Sequence, residues 1–96
     1  MSHRILVVDD DTSVCSMLSK YLGQGLGYDV ATAEDGEQAI EVAMKETFDL
    51  CILDVRMPGI SGSETFARLK AMQPGIEAIF FTADHEFEQN MDFLRF

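Results

Sequence analysis

Positive charge is scarce in this sequence: 7 of its 96 residues are Lys or Arg, against 17 Asp or Glu, for a formal net charge of -10. Binding to nucleic-acid backbones or anionic membranes needs clustered cations that release counterions, and a few scattered ones do not supply that. The expected partners are cations and basic protein surfaces, with no direct nucleic acid and no membrane. Long hydrophobic runs are missing as well, since no stretch approaches the ~18 apolar residues of a membrane span. The start, Met-Ser-His-Arg, leads straight into a short apolar run that ends in aspartates, unlike a secretory signal. A cytoplasmic location is expected. The two cysteines, Cys15 and Cys51, have no CxxC or His spacing and sit inside apolar-periodic segments, which predicts buried, reduced thiols. Repeats, linkers and low-complexity tracts are absent too. A chain of this size buries only roughly 60 to 65% of its unfolded surface, so one small module is expected and a large multi-site enzyme is not.

What is present is a set of short apolar runs. Arg4 to Val8, Asp49 to Leu53 and Ile76 to Phe81 are rich in Ile, Leu, Val and Phe and read as strands buried on both faces. Tyr28 to Thr32 alternates more and reads as an edge strand. Between them, Val14, Met17, Leu18, Tyr21 and Leu22 mark one amphipathic helix, and Ala39, Ile40, Ala43 and Met44 mark a second. Phe66, Leu69, Ala71 and Met72 mark a third. Strands alternating with helices predict an α/β fold, a parallel sheet covered by helices on both faces. Glycines 23, 25 and 27, Asp35-Gly36, Pro58-Gly59 and Pro74-Gly75 supply the turns.

In such a sheet, chemistry gathers beyond the carboxyl ends of the strands, where the strand order reverses. The first strand runs into Asp9, Asp10 and Asp11, the third into Asp54, and the fourth into Thr82. Carboxylates that converge on one cleft raise each other's proton affinity unless a cation shares the site. Oxygen ligands of this kind suit Mg2+, which keeps positions for water and a phosphoryl group. A carboxylate there can also act as a nucleophile toward phosphorus, giving an aspartyl phosphate. The plainer alternative is that Asp10 or Asp11 only caps the first helix, which does not account for Asp54.

The residues ILVVDDD at Ile5 to Asp11, AEDGEQAI at Ala33 to Ile40, FDLCILDVRMPGISG at Phe48 to Gly62 and FFTA at Phe80 to Ala83 resemble the receiver domain of bacterial two-component response regulators. The resemblance implies a flavodoxin-like three-layer αβα fold with strand order 2-1-3-4-5. It implies that Asp54 is the phosphoacceptor, charged from the phosphohistidine of a sensor histidine kinase or phosphotransfer protein. Asp10, Asp54 and the backbone carbonyl of Arg56 would hold Mg2+, with Asp9 acting through a coordinated water. Thr82 would be the hydroxyl that moves to meet the phosphoryl group, and the Ala83 amide would help to bind it. Met57 and Pro58 would shape the loop after the acceptor, and Gly62 would give the tight start of the third helix. Such a domain is a signalling module that assists only its own phosphorylation and dephosphorylation, not an enzyme.

The tail departs from the family pattern. The family's fifth strand ends in a lysine beside a proline and is followed by a fifth helix, but no lysine follows Lys70 and no proline follows Pro74. Phe93 takes the place of the family's rotating aromatic, yet the nine residues Ala83 to Met91 are fewer than the ~10 to 12 of a parallel crossover. The expectation is a receiver domain over 1–96, incomplete at its C-terminal end, with an abbreviated fifth strand and no fifth helix. Three origins stay open: a stretch missing from the tail, an abbreviated strand, or a tail outside the sheet. Arg95 is the one cation near the place of the absent lysine. A sheet face left bare beside the first helix predicts a homodimer or an element-exchanged dimer.

Two other functions compete. Asp9-Asp-Asp-Thr-Ser13 approximates the motif of haloacid dehalogenase-type phosphohydrolases, with Asp9 as nucleophile. A receiver-like module that binds partners without being productively phosphorylated is the other. The remaining candidates have plainer expectations: a turn at Gly23 to Gly27, solvated side chains at His3 and His85, and core positions for Met17, Met44 and Met72. Arg56 would either guard the site mouth or face solvent.

Overall fold

The computed structural model describes residues 3–81. Four parallel strands, β1 (Arg4–Val8), β2 (Asp29–Ala33), β3 (Leu50–Asp54) and β4 (Glu77–Phe81), form one sheet in the order β2-β1-β3-β4. Three helices connect them: α1 (Thr12–Ser19), α2 (Gly36–Lys45) and α3 (Gly62–Met72). This is the flavodoxin-like arrangement. The expectations of an abbreviated fifth strand, of Phe93 and Arg95 in the tail, of a solvated His85 and of no fifth helix fall outside the described residues.

Alternation along the strands builds two cores. Leu6, Val8, Cys51, Leu53, Ala78 and Phe80 point to the side covered by α2 and α3, where they meet Ala39, Ala43 and Leu69, with Phe66 packed on them. The Phe66 and Phe80 rings meet edge to face at 5.8 Å between centroids. Ile5 and Val7 point the other way, onto Cys15, Leu18 and Leu22. Because β1 is buried on both faces, it reads as a continuous apolar run rather than an alternating one. Both cysteines are free and buried, and burial pushes the Cys51 thiol up to about 12.

Each helix starts on a side-chain cap that satisfies an orphan backbone N–H. The Asp11 carboxylate accepts from the Ser13 N–H, Asp35 from Gln38 and the Ser61 hydroxyl from Glu64. Gln38 also accepts from the Glu34 N–H through its own side chain, which closes a reciprocal cap on α2.

Three expectations are corrected. Of the three runs read as buried on both faces only β1 is so: β3 alternates buried with half-buried residues, and β4 alternates buried with exposed or half-buried ones. Met17, Met44 and Met72 are 60%, 72% and 39% exposed rather than core. Along α1 and the turn that prolongs it, the residues packed on the sheet are Cys15, Leu18 and Leu22, so Met17 and Tyr21, four apart, share the outer flank. Met44 and Met72 likewise fall beside the buried stripes Ala39–Ala43 and Thr65–Leu69. Glycines 23 and 25 belong to a π-helical turn, Lys20–Gly25, that prolongs α1. The turn proper follows it: Leu26 donates to the Tyr21 carbonyl and Tyr28 to that of Leu22. His3 is exposed as expected, with Nδ1 3.7 Å from the Asp49 carboxylate.

Candidate functional site

The sheet order reverses direction between β1 and β3, so the carboxyl ends of these neighbouring strands open onto one cleft. β1 delivers Asp9, whose N–H still donates to the Ala33 carbonyl of β2 at 3.1 Å. β3 ends in Asp54, whose Cα partner across the sheet is Phe81. The next N–H, that of Val55, donates to the Phe81 carbonyl at 2.9 Å. The backbone ladders thus fix both carboxylates before any side-chain contact is made.

Carboxylate oxygens of Asp9, Asp10 and Asp54 lie within 4.8 Å of one another. Asp9 is buried at 3% exposure, Asp54 is half-buried and Asp10 is exposed. The third aspartate of the run, Asp11, does not join them. Its carboxylate caps α1, while its N–H donates to Asp9 Oδ1 at 2.9 Å. The capping alternative therefore holds for Asp11 and not for Asp10. The Arg56 N–H donates to Asp54 Oδ1 at 3.1 Å, and the Arg56 side chain is exposed.

Burial is the main reason the Asp9 carboxyl is raised to about 6; the Asp54 charge adds to it, and the Asp11 N–H opposes it. Asp54 is also raised, chiefly by burial and against the pull of the Arg56 N–H. The two carboxyls interact, so the raised proton affinity belongs to the pair rather than to either residue. A site made only of carboxylate oxygens, crowded enough to retain a proton near neutrality, fits a hard divalent cation in the proton's place.

Gly62 sets the return of the chain beneath Asp54. A Cβ at Gly62 would lie 2.5 Å from the Asp54 carbonyl oxygen and 3.2 Å from the Val55 Cα, so α3 starts this close to the strand end only with glycine there. Thr82 and Ala83 lie outside the described residues. Two supports of the site have no signature in residue spacing. One is the Asp11 N–H on Asp9. The other is the Cys15 thiol, which donates to the Asp9 carbonyl at 3.3 Å.

Comparison with known proteins agrees with this geometry. Residues 5–96 match the response regulator receiver domain family. The chain is 42% identical over 91 residues to the transcriptional regulatory protein ZraR of Escherichia coli, covering 95% of this chain and 20% of that protein. It is 40% identical over 90 residues to the alkaline phosphatase synthesis transcriptional regulatory protein PhoP of Bacillus subtilis, covering 93% and 37%. The chain thus spans about a fifth to about a third of these relatives. Among solved structures, it resembles the response regulator TrrA of Thermotoga maritima in complex with Mg2+-BeF, with a TM-score of 0.80 and 37% identity over 95% of this chain and 77% of that one. It also resembles TrrA in complex with the histidine kinase ThkA, with a TM-score of 0.76 and 41% identity over 86% and 70%. This chain belongs to the response regulator receiver domain family.

Proposed function

We propose that the chain receives a phosphoryl group on Asp54 from the phosphohistidine of a sensor histidine kinase or phosphotransfer protein, with Mg2+ bound beside it. The observation that carries this reading is the meeting of Asp9, Asp10 and Asp54 within 4.8 Å, with Asp54 at the end of β3. The solved complexes of TrrA with Mg2+-BeF and with a histidine kinase support it by likeness.

Asp10, Asp54 and the Arg56 carbonyl would hold the cation, with Asp9 assisting from beside them. When bound, the metal offsets the negative charge that gathers on the carboxylates and the phosphoryl oxygens. Asp54 offers one carboxylate oxygen to phosphorus while the Arg56 N–H steadies Oδ1. The new O–P bond forms as the P–N bond to the histidine breaks. The imidazole leaves with that electron pair and takes up a proton. Thr82 and the Ala83 amide then bind the phosphoryl oxygens. The domain works as a cytoplasmic signalling module rather than an enzyme, and with its net charge of -10 it makes no direct contact with nucleic acid.

Asp9 suits the hydrolase reading poorly, because it is buried at 3% exposure while Asp54 is half-buried, so the Asp9 carboxylate is the less accessible of the two to an incoming phosphoryl group. Self-association is part of the proposal. On the α1 side of the sheet a groove of about 430 Å3, lined by Ile5, Leu22, Leu26, Leu50, Ile52 and Ile79, offers an apolar face to a second copy. The test of phosphorylation is acetyl phosphate with Mg2+, read by intact mass and by peptide mapping to Asp54.

A further inference from the structure

We infer that Gly36, the first residue of α2, is a positioning residue for the loop that follows Asp54. Gly36 is buried, and a Cβ there would lie 2.5 Å and 2.8 Å from Ile60 Cγ1 and Cδ1 and would overlap the Thr65 hydroxyl. Ile60 belongs to the loop, residues 55–61, that joins Asp54 to α3. Thr65 is fully buried on α3, and its hydroxyl donates to the Ser61 carbonyl at 2.7 Å, which ties the end of the loop to the helix. The start of α2 therefore presses directly on the far half of the loop.

A second contact lies one residue on. Gly59 has φ +82, and a Cβ there would be 2.9 and 3.0 Å from the carboxylate oxygens of Glu37. Successive residues of α2, Gly36 and Glu37, thus meet successive loop residues, Ile60 and Gly59. At its other limit the loop is held by Gly62 against the Asp54 carbonyl. Between these restraints sits Arg56, whose N–H reaches Asp54 Oδ1.

α2 contributes no residue to the acidic cluster, yet it sets the height of the loop that carries the Arg56 carbonyl. The consequence for metal binding rests on the function proposed above; the consequence for loop position does not. Coupling of this kind is reciprocal, so a ligand that fixes the loop also firms the first turn of α2.

The test compares wild-type chain, Gly36→Ala and Ile60→Ala by NMR. Gly36→Ala pushes on the loop, and Ile60→Ala empties the same contact from the loop side. In both variants without metal, the amide resonances of residues 55–61 are expected to shift and their hydrogen exchange to quicken, while the β1–β2 amides stay in place. Mg2+ affinity is expected to fall about tenfold, as for other residues that orient metal ligands. In an Ile60→Ala/Thr65→Ala background, adding Gly36→Ala is expected to leave the loop amides unmoved. Folded variants whose loop amides match wild type overturn the inference, even where their thermal stability has dropped. Should Gly36→Ala not fold, Ile60→Ala decides alone. A wild-type chain that binds no Mg2+ contradicts the functional reading, and the loop amides still decide the role of Gly36.

Discussion

Asp9, Asp10 and Asp11 are consecutive, yet each has its own surroundings, because the chain leaves β1 and enters α1 within them. Asp9 is buried, Asp10 joins the same cluster while exposed, and Asp11 turns back to cap the helix. Replacing Asp11 by Ala should cost ~1 kcal/mol in chemical denaturation, as loss of a helix cap does, and leave Mg2+ affinity unchanged. Asp9→Asn keeps an oxygen for the Asp11 N–H but removes a crowded charge. It should raise the melting temperature of the metal-free chain while weakening Mg2+ binding at least ~10-fold. The pH dependence follows from the same group. The Asp9 carboxyl titrates near 6 when folded and at 3.8 when unfolded, so the folded state holds the extra proton between these values. Linkage then makes the metal-free chain lose stability as pH rises through that window. Mg2+, which displaces the proton, should bind more tightly as pH rises through 6. Denaturation and calorimetric titrations at pH 5 and 7.5 check both signs. At this scale, the sequence made Asp9, Asp10 and Asp54 legible because strand ends in a parallel sheet share one edge. Residue spacing by itself did not separate Asp10 from Asp11, since the choice between metal cluster and helix cap depends on φ and ψ at the turn; only the family resemblance set Asp10 with the metal.

The strands were legible as short apolar runs, although only β1 is buried on both faces; β3 and β4 alternate between a buried face and a more open one. β1 occupies the expected Arg4–Val8, and β2, β3 and β4 begin one residue later than read, at Asp29, Leu50 and Glu77. The helices were less legible in their facing. Apolar stripes on α1 and α2 are wider than the strip that touches the sheet, so Met17, Tyr21 and Met44 remain outside it. The π-helical turn at Lys20–Gly25 had no signal, because its hydrogen bonds run between backbone atoms in a glycine-rich stretch. Close approach of elements was equally hidden: the sequence marked Gly62 through the family pattern and read Gly36 only as part of a turn. Gly62→Ala should destabilise the fold by ~1–3 kcal/mol, the usual cost of forcing extra volume into a packed site. Equilibrium unfolding measures that loss, and the sharp contact with the Asp54 carbonyl predicts reduced phosphorylation in the fraction that remains folded.

At the scale of the whole molecule, the sheet separates two cores and leaves its carboxyl edge for chemistry. Among the described residues, the side that carries α2 and α3 buries the larger set of apolar residues, and the α1 side shows a groove of mainly apolar lining to which His3, Asp49 and Glu77 also contribute. That asymmetry predicts a dimer by light scattering at ~100 μM, since contiguous apolar surface seldom stays bare. Substituting Ile79, which is 37% exposed in the groove, by Lys should return the chain to a monomer. The charge imbalance has a local meaning as well. Three of the 17 acidic residues form the cluster at the end of β1 and β3, where their repulsion becomes affinity for a cation. The central claim is that this cluster makes Asp54 a phosphoacceptor. Its most direct measurement is incubation with acetyl phosphate and Mg2+, comparing the wild-type chain with Asp54→Asn by intact mass. One phosphoryl group added to the wild type, mapped to Asp54, lost without Mg2+ and absent from Asp54→Asn, is the result the account predicts. No addition to the wild type, or equal addition to Asp54→Asn, would contradict it.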